Sequence, residues 1–238
     1  MMKKIVAVIL ALLMMTLLYI PAFAAETEKE QMQSTVLYQA NQIDDPNMLM
    51  LRAELGVDER SEIVKQAAYV AAEADLCREQ VDLYTTTQLI HREIRADGII
   101  VEEYASVAVG RTRGSGSSSN QQTGHSVTVY AMINYKYEIS SDQNVFFGIS
   151  NTKHRAVYGS SVTVNSLFLR NAIDNSYEEV ASNSKTIPSV SMGTWYTLSA
   201  PTSQLYPKAT ANLYAFTTAK LPGGNETNVR CVVYCNSL

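Results

Sequence analysis

HSVTVYAMINYKYEIS, His125 to Ser140, alternates along almost its whole length. Its odd positions (Val127, Val129, Ala131, Ile133, Tyr135, Tyr137 and Ile139) are apolar or aromatic, and its even positions are mostly polar. Successive side chains of a strand point to opposite faces, so a period of two reads as a strand with one dry face and one wet face. A run of about 13 residues is long against the usual five or six. It is best explained as the spine of a β-sandwich, with Tyr135 and Tyr137 turned inward. Tyr130 and Lys136 fall on the other face, and any binding role of this strand belongs there.

The chain downstream keeps the same character. Short β-branched and aromatic segments follow at 144–149, 156–158, 162–170, 177–181, 195–198, 209–219 and 229–235, separated by turn-forming clusters such as Ser140-Ser141-Asp142 and Pro222-Gly223-Gly224-Asn225. Strands at close spacing with no helix between them pair antiparallel. The expectation for 125–238 is therefore an antiparallel β-sandwich, with a β-barrel as the alternative. Upstream, Gly110 to Gly124 (GRTRGSGSSSNQQTG) has the composition of a flexible loop. Asp97-Gly98, between two apolar runs, predicts a β-hairpin over 81–109 that joins the β domain.

Residues 25–80 read as an acidic helical region. Met32, Val36, Ala40 and Ile43 recur at helical spacing, Asp45-Pro46 has the form of an N-cap, and Gly56 that of a stop. Ile63, Ala67, Val70, Ala71, Ala74 and Cys77 supply a further stripe. The first 24 residues have a lysine-bearing start, an uncharged apolar run from Ile5 to Ile20, and Ala22-Phe23-Ala24 after Pro21. That is the pattern of a secretory signal peptide. Sixteen apolar residues are short of the roughly 20 that span a bilayer, so no membrane span is expected after cleavage. The expected location is outside the cell, free or associated with the envelope.

Charge is unevenly distributed. Residues 26–103 hold 17 acidic and 7 basic side chains, residues 104–238 hold 6 and 10, and the whole chain carries a formal charge of −4. No dense basic face suits nucleic acid. Three cysteines are not a disulfide framework. Cys231 and Cys235 would stand about 13 Å apart on one strand, beyond bridging distance. Both read as buried core residues, with Cys77 bridged to Cys231 or Cys235 as the alternative.

No catalytic constellation emerges, and neither a metal site nor a cofactor is expected. His91, His125 and His154 are scattered and read as surface residues, and His91 lacks the second histidine of a zinc motif. Glu102-Glu103 and Glu178-Glu179 are doublets whose members point to opposite faces, so a glycosidase pair would require convergence between doublets. What remains is the aromatic content of the β region. Trp195 reads as the core anchor of the sandwich or, if turned outward, as a stacking platform with Tyr196 and Tyr130 for an extracellular or cell-wall glycan.

The order of signal peptide, short acidic helical region, RADGIIVEEYASVAV hairpin and Ser/Thr/Tyr-rich β domain resembles small secreted proteins of Gram-positive bacteria with no assigned function. The resemblance carries over no active residue and no ligand. The expected protein is secreted and non-enzymatic and binds at or outside the cell envelope. A carbohydrate-binding or glycan-processing protein and a secreted toxin or antagonistic factor are the alternatives.

Overall fold

The computed structural model describes residues 33–75, 81–112, 127–159, 162–175, 178–207, 211–221 and 228–237. The chain divides into two units, the second of which, 34–238, holds every described element. The second runs β1 (Thr35–Gln39), α1 (Pro46–Glu54), α2 (Glu62–Ala67), β2 (Ala68–Asp75), β3 (Val81–Ile94), β4 (Ile100–Thr112), β5 (Val127–Ile139), β6 (Val145–Tyr158), β7 (Ser166–Asn175), β8 (Glu178–Ile187), β9 (Tyr196–Ser199), β10 (Tyr206–Pro207), β11 (Ala211–Lys220) and β12 (Asn228–Ser237). The expected signal peptide and most of the 110–124 loop lie outside the described residues.

The fold is an antiparallel β-sandwich. One sheet has the order β1-β3-β4-β5-β6-β10, with β9 also paired to β6, and the other has the order β2-β12-β11-β7-β8. β5 sits inside the larger sheet, and its seven odd-numbered apolar residues, none more than 4% exposed, all enter the core between the layers. Leu167, Leu169, Leu213, Val229, Cys231, Val233 and Cys235 meet them from the smaller sheet. The layers approach closely at Gly110, where a Cβ would lie 3.3 Å from that of Cys231. Asp97-Gly98 turns β3 into β4 as expected, with Gly98 at φ +81° and the Gly98 N–H donating to the Arg95 carbonyl at 2.9 Å.

A second, smaller core covers the outer face of the larger sheet. Leu49 and Ala53 of α1 pack on Ala105, Val107, Val109, Tyr130 and Met132. The cap read from the sequence starts this helix: the Asp45 carboxylate accepts from Met48 N–H at 2.8 Å and Pro46 opens the first turn. Asp45→Ala should lower stability by about 1 kcal/mol, measured as a lower urea midpoint at unchanged slope. An unchanged midpoint would mean that packing alone holds α1.

Three expectations are corrected. Of the stripe expected to be helical, Val36 lies in β1, an edge strand paired with β3, Ala40 and Ile43 follow in irregular backbone, and Met32 lies outside the described residues. The alanine-rich stripe is helical only over Glu62–Ala67, after which Ala68–Asp75 pairs with β12 as β2. Alanine favours helix by a fraction of a kcal/mol per residue, and a row of ladder hydrogen bonds on a waiting sheet edge outweighs it. The segments expected at 144–149 and 156–158 are one strand, β6. A bulge between the pairs Asn134–Asn151 and Tyr135–Ile149 shifts its register, so the inward row passes from Phe147 and Ile149 to Thr152, His154 and Ala156. The apolar alternation therefore breaks where the strand does not. Thr35–Gln39, Ala68–Asp75 and the β3–β4 hairpin are accordingly strands of the sandwich itself.

Candidate ligand surface

The aromatic residues singled out by sequence are engaged within the protein. Tyr130 is 4% exposed, under α1. Trp195 meets it edge-on with ring centres 5.8 Å apart, donates its indole N–H to the Asp44 carbonyl at 2.8 Å, and carries the Arg155 guanidinium 5.4 Å from its ring centre. The Tyr196 hydroxyl accepts from Ser191 N–H at 2.8 Å. These contacts make Trp195 an anchor that pins the segment before α1 onto the larger sheet. Lys153 reinforces it through an ion pair with Asp44 at 2.7 Å.

The outer face of the smaller sheet is different. No described element lies across it, and a concavity of about 560 Å³ is lined by Arg170 and Asp174 of β7, Asn212, Tyr214 and Phe216 of β11, and Arg230 and Tyr234 of β12. Strand register sets these side chains in rows. Arg170 stands opposite Phe216, Tyr214 opposite Tyr234, and Asp174 opposite Asn212. Tyr214 and Tyr234 are 6.1 Å apart at a tilt of 45°, and Phe216 meets Phe168 at 5.7 Å. The Arg230 guanidinium lies 4.4 Å over the Phe216 ring.

The charges at one end of this face are coupled. Arg170 forms an ion pair with Glu179 of β8, and the Tyr214 hydroxyl donates to the same carboxylate at 3.1 Å. A hydrogen bond from Ser182, with help from Tyr214 and Arg170, holds the Glu179 carboxyl below its usual range. Partial burial, then the neighbouring Glu179 charge, pushes Asp174 up. Burial and the nearby carboxylates push the Tyr214 phenol up to about 12, so it stays a donor at neutral pH. Flat aromatic faces ringed by guanidinium, amide, carboxylate and hydroxyl groups bind molecules that combine an apolar face with hydrogen-bonding edges.

The carboxylate doublets do not converge. Glu102 is buried on the inward side of β4, whereas Glu179 stands on the outer face of the smaller sheet, so one substrate cannot meet both. His154, expected at the surface, is fully buried instead, with Thr152 and Thr217 on its two nitrogens. Cys231 and Cys235 are buried free thiols, while Cys77 lies outside the described residues. Burial pushes both thiols up to about 12. Among the described residues no cluster of His, Cys, Asp and Glu has the form of a metal site, and no helix is long and apolar enough to cross a membrane.

The sequence did hold a signal for this surface. In β11 the apolar inward row of Leu213, Ala215 and Ala219 alternates with Tyr214 and Phe216, aromatic residues at outward positions. Trp195, alone of its kind in the chain, draws attention without such a pattern around it. No protein-family model, no curated protein and no solved structure matches the chain.

Proposed function

We propose that this chain is a secreted, non-enzymatic β-sandwich protein that binds an extracellular glycan at or outside the cell envelope, with the outer face of its smaller sheet as the ligand surface. The observation that carries this reading is the aromatic concavity formed by Tyr214, Phe216 and Tyr234 with Arg170, Asp174, Asn212 and Arg230 around it. Sugar rings have an apolar C–H face that stacks on aromatic rings and a rim of hydroxyls that pair with planar polar groups. The N-terminal signal-peptide pattern supports an extracellular setting for such a surface.

The test is retention of the purified chain on isolated cell walls and on insoluble polysaccharides. Tyr214→Ala and Phe216→Ala should each weaken retention by about tenfold, as loss of a central aromatic contact does. Trp195→Ala should reduce stability and leave the affinity of the folded fraction unchanged. Retention lost in Trp195→Ala but kept in both β11 variants would overturn the assignment of the surface. Absence of retention on every wall and polysaccharide would overturn the glycan reading.

A further inference from the structure

We infer that the glycan bound by this face is a neutral, linear chain held along its length, lying diagonally across the strands from Tyr234 to Phe168; this rests on the reading of the face as a glycan surface. Strand register sets the outward aromatic residues on a line. Tyr234 of β12 stands opposite Tyr214 of β11, Phe216 follows two residues on, and Phe168 of β7 stands opposite Thr218, two residues further. The rings meet in pairs, Tyr214 with Tyr234 at 6.1 Å and Phe216 with Phe168 at 5.7 Å. Arg230, 4.4 Å over Phe216, braces that ring. Two strands across and four residues along, the line from Tyr234 to Phe168 is roughly 16 Å long. That exceeds any single sugar ring. Phe168 also lies outside the concavity, whose lining on β7 ends at Arg170. The aromatic line therefore runs past the hollow.

The floor and flanks fit the same occupant. Ala172, in register with Tyr214 and fully buried, is too small to fill the space beside that ring. Among the described residues no element crosses the line, so a chain can continue beyond it, whereas a site for a sugar terminus needs a wall that closes around the end. Charge selects no ion. The guanidinium groups of Arg170 and Arg230 are matched by the carboxylates of Asp174 and Glu179, so the face draws neither sign from a distance. Guanidinium, amide, carboxylate and phenol groups together offer the donors and acceptors that sugar hydroxyls require. Once one sugar of a chain is seated, stacking of the next is an intramolecular step, so affinity grows with chain length until the line is covered.

The experiment titrates cello-oligosaccharides and chito-oligosaccharides, from one sugar to six, into wild type, Phe168→Ala and Tyr214→Ala, with polygalacturonate as the charged control. In at least one neutral series affinity should rise about tenfold or more from the disaccharide to the hexasaccharide. Phe168→Ala should lose about tenfold on the hexasaccharide and keep wild-type affinity for the disaccharide. A misfolded variant would not show that split. Tyr214→Ala should weaken both. Disaccharide binding as tight as hexasaccharide binding, or Phe168→Ala binding the hexasaccharide as wild type does, overturns the lengthwise inference. Tighter binding of polygalacturonate than of either neutral series overturns it as well. If no oligosaccharide binds, the inference falls alone where the chain is still retained on cell walls, and falls together with the glycan reading where it is not.

Discussion

Between pH 7 and pH 4 the folded chain should lose on the order of 3 kcal/mol of stability through His154 alone. The ring is fully buried between the sheets and sits in a closed set of hydrogen bonds. The Thr217 hydroxyl donates to the Tyr130 carbonyl at 2.9 Å, so toward Nδ1, 2.8 Å away, it can only accept. Nδ1 therefore carries the proton, and Nε2 accepts from the Thr152 hydroxyl at 2.8 Å. Asn171 completes the set, donating to the Thr152 oxygen at 3.0 Å and to the Ser199 carbonyl at 2.9 Å. Each nitrogen of the neutral ring is satisfied, and the group ties β5, β6, β7, β9 and β11 across the two layers.

A second proton on this ring has no acceptor in place and puts a charge into an apolar core. Burial accordingly lowers the His154 pKa from 6.5 to about 3. The unfolded chain takes up the proton near 6.5 and the folded chain does not until about 3. Across that window the unfolded state binds more protons, so stability falls as pH falls, by at most about 1.4 kcal/mol per pH unit. His154→Gln should be less stable at pH 7, where it loses the fitted ring, and show a shallower decline toward pH 4. Urea unfolding of both proteins at pH 7, 5.5 and 4 measures it, and carboxylate effects cancel in the difference. Parallel declines would show that the buried ring does not govern the acid response.

The same buried group explains why β6 was the least legible strand. A sequence pattern reports a strand when its inward row is apolar, as it is through all seven inward positions of β5. In β6 the inward row is apolar only until the bulge, and then Thr152 and His154 turn polar atoms inward that are satisfied by Thr217 and Asn171 from the other sheet. Those partners lie 19 or more residues away in the chain, beyond any local window. β2 failed for the opposite reason. Its alanines carry a local helix preference, and only β12, more than 150 residues later, supplies the ladder that overrides it. The candidate surface was half legible: outward aromatic residues in β11 follow from alternation, but the approach of Arg170 and Arg230 to either side of Phe216 depends on the order of strands in the sheet.

Glu102→Ala should cost about 2–3 kcal/mol, the loss expected when a buried hydroxyl is left without its charged acceptor. Glu102 is 3% exposed, and both of its oxygens are engaged. Oε1 accepts from Arg92 Nε at 2.8 Å and forms an ion pair with Arg92 Nη2 at 2.7 Å. Oε2 accepts from the Ser61 and Tyr104 hydroxyls, each at 2.8 Å, and the Tyr104 oxygen accepts from Ser61 N–H at 3.0 Å. Ser61 precedes α2, and its hydroxyl also meets the Val64 N–H at 3.4 Å, so the carboxylate bolts the start of α2 to β4 while Val64 enters the core at 0% exposure. Truncation leaves the Tyr104 hydroxyl, 1% exposed, without its acceptor and Arg92 without its counter-charge. Glu102→Gln should cost less, because its oxygen still faces Arg92 and its amide can donate to the two hydroxyls. Urea unfolding should rank the variants Ala, Gln, wild type in rising stability, and amide exchange should accelerate most in α2. A cost under about 1 kcal/mol for the alanine variant would refute the role given to the carboxylate. The consequence reaches the ligand surface, because α2 runs directly into β2 and β2 is the edge that flanks Arg230 and Tyr234 on β12. In Glu102→Ala the protection of β12 amides should therefore fall together with that of α2, while β7 and β8 on the far side of the sheet keep theirs.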